Sequence, residues 1–123
     1  MKYKMIVLDL DGTLTNEKKK ITPRTFNALM MAQEKGVKIV LASGRPTQGI
    51  VPLAVQLNLS KFGGYILAFN GGLVIDCSSG KQIFNSDLAP EFVNDLYAEA
   101  KSAGLEILTY QGDVIAATKK KNK

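Results

Sequence analysis

Two carboxylates, Asp9 and Asp11, stand two residues apart in Asp9-Leu10-Asp11-Gly12-Thr13, directly after an apolar run. At a strand end, where the chain turns away from extended geometry, both can face one site, one as nucleophile and the other as proton donor. Paired carboxylates repel, so a divalent cation stabilises Asp9 while a neighbouring group keeps Asp11 able to take a proton. Gly12 allows a tight turn whose backbone amides can face an anion. Two further polar clusters follow, Ser43-Gly44-Arg45 and Asn70-Gly71-Gly72. A hydroxyl and a fixed positive charge at the start of a helix make a natural phosphate position. Each cluster alone has a plainer reading: Asp-x-Asp as a turn or cap, Ser43 as an N-cap, Arg45 as a surface cation, Asn70-Gly71-Gly72 as a turn. Their order, spacing and common location are what separate turn residues would rarely produce.

The elements that must position these clusters follow from the apolar pattern. Tyr3 to Leu8 reads as a buried strand ending at Asp9, Val37 to Ala42 as a second, and Tyr65 to Phe69 as a third. Between the first two, Gly12 to Lys20 is a polar loop or small hairpin flap. Thr22-Pro23 then caps a helix carrying Phe26, Leu29, Met30 and Gln33, which Gly36 ends. After Ser43-Gly44-Arg45-Pro46 a helical stretch holds Ile50, Leu53, Ala54 and Leu57, with Pro52 requiring either a kink or a later start. Strand, helix, strand, helix, strand with short connections predicts a parallel α/β sheet with right-handed crossovers. Ligands bind such sheets at the carboxyl ends of the strands, where all three clusters fall. Leu73 to Asp76 and Gln82 to Phe84 form a hairpin; then a helix from Pro90 to Ala103 and a second hairpin around Gln111-Gly112-Asp113 change the pattern. The boundary is set near Gly80, giving units 1–80 and 81–123.

Composition narrows the chemistry. With one cysteine, Cys77, and no histidine, there is no intrachain disulfide, no zinc cage and no Ser-His or Cys-His pair. Carboxylates and backbone oxygens remain as metal ligands, which suit magnesium. The hydrophobic fraction of 46% fits a folded domain. No apolar run approaches a membrane span, and a reducing, cytoplasmic setting is the simplest expectation. Seven of the sixteen basic residues lie in Lys18-Lys19-Lys20 and in Lys119-Lys120-Lys121 with Lys123; the rest of the chain has nine basic residues against eleven acidic. The net charge of +5 therefore belongs to a loop and a tail, read as solvated lysines with no nucleic-acid partner.

Asp9-Leu10-Asp11-Gly12-Thr13-Leu14 resembles the first signature of the haloacid dehalogenase superfamily, and Ser43 in Val40-Leu41-Ala42-Ser43-Gly44-Arg45 resembles its second. Ser-Gly-Arg-Pro with Asn70-Gly71-Gly72 is similar to the Cof-type phosphatases, which act on sugar phosphates and other small phosphoesters. The resemblance implies a three-layer, Rossmann-like core, incomplete here, followed by the beginning of an α+β cap. It implies Asp9 as nucleophile, Asp11 as general acid and base, and Mg2+ on the Asp9 carboxylate and the Asp11 backbone carbonyl. It further implies that Gly12, Thr13, Ser43, Gly44, Arg45 and Asn70 surround the phosphate of a small-molecule phosphoester. The family's later signatures, a Lys and an acidic Gly-Asp loop, are not found; Asp113 and the terminal lysines do not supply them. The chain then corresponds to the N-terminal part of a longer enzyme, with the edge of Tyr3 to Leu8 open to self-association. A non-catalytic phosphate-binding or regulatory module and a phosphomutase-type phosphotransferase are the alternatives.

Overall fold

The computed structural model describes residues 2–112 and 114–118. They divide into two compact units, Met1–Ser86 and Asp87–Lys123. In the first, β1 (Met5–Asp9), β2 (Lys38–Ala42), β3 (Tyr65–Ala68), β4 (Leu73–Asp76) and β5 (Lys81–Asn85) lie side by side in that order. The first three are parallel, while β4 and β5 add antiparallel. This is a Rossmann-like sheet with flanking helices. Because β5 pairs with β4, the second arm of the hairpin stays with the sheet of the first unit, which runs to Ser86.

Each crossover is built from local signals. Helix α1 (Pro23–Glu34) starts where the Thr22 hydroxyl accepts from the Thr25 amide at 3.2 Å, with Pro23 needing no amide partner in the first turn. Its inner face buries Leu29 and Gln33. After β2 a 3-10 turn at Thr47–Gly49 precedes α2 (Val51–Gln56), so Pro52 lies in the first turn of a later-starting helix and kinks nothing. A short α3 (Leu59–Phe62) leads into β3. Gln33 Nε2 donates to the Leu57 carbonyl at 2.8 Å, tying α1 to the end of α2. The core gathers Leu10, Ile39, Leu41, Ile50, Leu57 and Leu59, all fully buried.

One expectation needs correction. Strand β1 is an edge strand and is not buried on both faces: Ile6 and Leu8 pack on the core, while Met5 and Val7 are 49% and 57% exposed. A continuous apolar run cannot say which of its two faces is covered.

The second unit, described by itself, contains α4 (Glu91–Ser102) and an antiparallel hairpin of β6 (Leu108–Gln111) and β7 (Val114–Ala117). Val93, Leu96 and Tyr97 share one face of α4 and remain about half exposed. Asp113 and the lysines from 119 onward lie outside the described residues.

Candidate active site

Register alone brings the three clusters together. Asp9 pairs with Ala42, and Ala42 with Leu67, so Ser43 and Ala68 are the next residues on neighbouring strands. Adjacent strands lie about 4.8 Å apart, which puts all three strand ends within one ligand's reach. Backbone hydrogen bonds carry this alignment beyond the sheet: Ser43 donates to the Leu67 carbonyl at 3.0 Å, and Asn70 donates to the Ser43 carbonyl at 3.1 Å. Phe69 closes the pattern by donating to the Arg45 carbonyl at 3.1 Å.

The loop after β1 is anchored from below. Leu10 and Leu14 are buried, and the Leu14 and Thr15 amides return to the Asp9 and Leu10 carbonyls at 3.1 and 2.9 Å. The Thr15 hydroxyl also donates to the Leu10 carbonyl, at 2.9 Å. With both leucines held inside, Asp11, Gly12 and Thr13 are left exposed at the top of the sheet beside exposed Asp9. Gly12 has φ +81°, a conformation that strains any side chain, so its identity serves the turn.

Arg45 reaches across to Asp11. Its Nε donates to Asp11 Oδ2 at 2.9 Å and its Nη2 to Oδ1 at 2.5 Å, a two-point clamp between the loops after β1 and β2. Nη1 donates to the Gly49 carbonyl at 3.2 Å, and the Arg45 amide donates to the Ser43 hydroxyl at 3.2 Å. Ser43 is thus part of the turn that aims Arg45 as well as a hydroxyl at the strand end. Gly44 is required by its neighbour: a Cβ there would lie 2.9 Å from Asn70 Oδ1. Asn70 and Phe69 both have positive φ, 56° and 52°, which is unusual for Asn and a true outlier for Phe. Strain of this kind persists where the surrounding structure over-determines it, as at the ends of strands that carry a site.

A residue that the sequence reading missed also enters the site. Lys19 donates to Asp11 Oδ1 at 2.6 Å, so it is not merely one of three solvated lysines. The flap turn holds it there. Asn16 Oδ1 accepts from the Lys18 and Lys20 amides at 3.0 and 3.1 Å, and Lys19 sits between them at φ +57°. The available signal was Asn16, a residue that builds such turns through its own side chain. Hydrogen bonds from Lys19 and then Arg45 hold the Asp11 carboxyl below the usual carboxylate range, because both favour its charged form.

As a cation site, Asp9 and Asp11 offer hard oxygen donors at one strand end, and no cluster of three or more His, Cys, Asp or Glu ligands occurs among the described residues. Two such donors suit magnesium, which keeps several waters and shares substrate phosphates.

Comparison with known proteins agrees with this fold. Residues 6–123 match the family model of the haloacid dehalogenase-like hydrolases. A protein of Streptococcus pyogenes serotype M6 is 41% identical over 83 residues, covering 68% of this chain and 31% of its own length. A phosphoglycolate phosphatase of Picrophilus torridus is 30% identical over 102 residues, covering 83% of this chain and 41% of its own. The crystal structure of a haloacid dehalogenase-like hydrolase from Bacteroides thetaiotaomicron superposes with a TM-score of 0.88 at 49% identity, over 98% of this chain and 45% of that one. The chain spans less than half the length of each. No helix among the described residues is long and apolar enough to cross a membrane. Because the family model matches nearly the whole chain, residues 6–123, the chain belongs to the haloacid dehalogenase-like hydrolases.

Proposed function

We propose that this chain carries the nucleophile and phosphate cradle of a magnesium-dependent phosphatase of the Cof-type subgroup, acting on a small phosphorylated metabolite. The observation that carries the reading is the alignment of Asp9, Ser43 and Asn70 at neighbouring strand ends, with Asp11 and Arg45 joined above them. Asp9 attacks phosphorus and forms an aspartyl-phosphate, as the P–O bond to the leaving alcohol breaks. Asp11 gives that oxygen its proton and later takes one from the water that hydrolyses the intermediate. Ser43 and Asn70 orient the phosphoryl oxygens, and the amides of the Gly12 and Thr13 turn complete the cradle. Asp9 and Asp11 would hold magnesium, which would supply neutralisation of the phosphoryl charge.

Arg45 must change partner during the cycle. A phosphoryl dianion competes with Asp11 for the guanidinium, and its transfer to the substrate frees Asp11 to work on the leaving oxygen. The clamp is also what favours a second reading, a phosphate-binding module without turnover, since both Asp11 oxygens are engaged by cations.

The test is transfer of labelled phosphate from an aryl phosphate to the protein in magnesium, followed by hydroxylamine release. Wild type is expected to acquire a hydroxylamine-labile label, and Asp9→Asn to acquire none. Labelling that survives the substitution would reject Asp9 as nucleophile. Tight phosphate binding without label under any metal condition selects the binding module.

A further inference from the structure

The flap delivers one cation, Lys19, to the side of the site where the proposed leaving group departs. The turn is braced three ways: Asn16 Oδ1 holds the Lys18 and Lys20 amides, the Lys19 amide donates to the Asn16 carbonyl at 2.8 Å, and the Asn16 amide donates to the Lys20 carbonyl at 3.0 Å. A residue at φ +57° in so fixed a turn has its Cα–Cβ bond set by the turn, and the Lys19 ammonium reaches Asp11 Oδ1 from there. A general acid contacts the leaving oxygen, so a group beside Asp11 stands next to whatever that oxygen carries. The Lys19 side chain is 62% exposed, with its stem in solvent and its ammonium on the site.

We propose that Lys19 is a specificity-determining residue that selects phosphoesters whose leaving group bears a second anionic group close to the ester oxygen. This deepens the phosphatase reading and rests on it. The Asp11 carboxylate occupies the anion position between Lys19 and Arg45. Substrate fills that position from outside: its phosphoryl group takes Arg45, and its second anion takes Lys19. A neutral leaving group leaves the Lys19 charge without a new partner and gains nothing from the flap.

The experiment compares two phosphonates that share the phosphoryl head, methylphosphonate and phosphonoacetate, binding to this chain at fixed excess magnesium. The readout is the ratio of their dissociation constants by calorimetry. Wild type is expected to favour phosphonoacetate about fivefold, the upper range for an exposed ion pair. Lys19→Gln is expected to bring the ratio close to one, and Lys19→Arg to keep it. A ratio near one in wild type, or one that Lys19→Gln leaves unchanged, overturns the role of Lys19 while the phosphate site stands. If neither phosphonate binds, the phosphatase reading fails and this inference falls with it.

Discussion

Gly44 and Asn70 form a pair in which one residue exists so that the other can approach. The Asn70 amide group occupies the space a Gly44 side chain would need, and its end can swing aside without disturbing backbone. Gly44→Ala is therefore expected to leave thermal stability nearly unchanged while moving Asn70 off the phosphate position. Methylphosphonate affinity should fall about fivefold, the worth of one hydrogen bond of about 1 kcal/mol; an unchanged affinity would remove Asn70 from the cradle. Cys77 tests burial elsewhere. Desolvation first, and then the Asp76 charge, push its thiol up to about 11 from 9.0. The unfolded thiol then loses its proton at lower pH than the folded one, so folding stability falls as pH rises from about 9 to about 11 and levels beyond. Alkylation of native protein at pH 8 should be much slower than of unfolded protein, and Cys77→Ala should flatten the alkaline limb of stability. Equal alkylation rates would contradict the burial. At this scale the meeting of Asp9, Asp11, Ser43, Arg45 and Asn70 at neighbouring strand ends was legible, because each follows a strand of one parallel sheet. Lys19 was not, because a lysine run looks the same whether its charges meet water or a carboxylate.

Elements decide which of those residues meet. The flap is the clearest case: Asn16 spends its side-chain oxygen on two backbone amides, and the reward is the direction of Lys19. Asn16→Ala removes both bonds and should release the turn at a cost of about 1–2 kcal/mol. Far-UV circular dichroism should stay native, because β1 and α1 do not depend on the flap. The preference for phosphonoacetate should drop as it does in Lys19→Gln; a full preference in Asn16→Ala would mean that Lys19 needs no turn to find its target. The later start of α2 has the same logic. Pro52 could not sit inside a helix, and the 3-10 turn before it gives the Gly49 carbonyl to Arg45 Nη1. Periodicity showed that a helix was there, and only the proline constraint bore on where it begins. The positive φ values of Phe69 and Asn70 had no sequence signal at all for the phenylalanine. They arise from hydrogen bonds to Ser43 and Arg45, which lie on a different loop.

At the scale of the whole chain, the sheet order β1-β2-β3-β4-β5 places β1, the strand that ends at Asp9, at an edge. That position is costly in a free chain. One side of β1 pairs with β2, and the other pairs with no strand among the described residues, beside the half-exposed side chains of Met5 and Val7. Order along the chain was readable from alternating strands and helices, but coverage was not, because the side chains of a buried and an open face can be equally apolar. The exposed edge predicts reversible self-association through β1. Sedimentation velocity across a hundredfold concentration range should show wild type moving from monomer toward dimer or larger species. Val7→Lys adds a charge to the exposed face without touching Asp9 or the core, and should shift the chain toward monomer at every concentration. Phosphonate binding separates two consequences of the same edge. If association pairs β1 with a second copy, it stiffens the strand that ends at Asp9, and wild-type affinity should rise with protein concentration while Val7→Lys affinity stays flat. A monomer at all concentrations would show instead that the backbone of β1 is protected from pairing by its own twist and side chains, and the edge would then carry no assembly role.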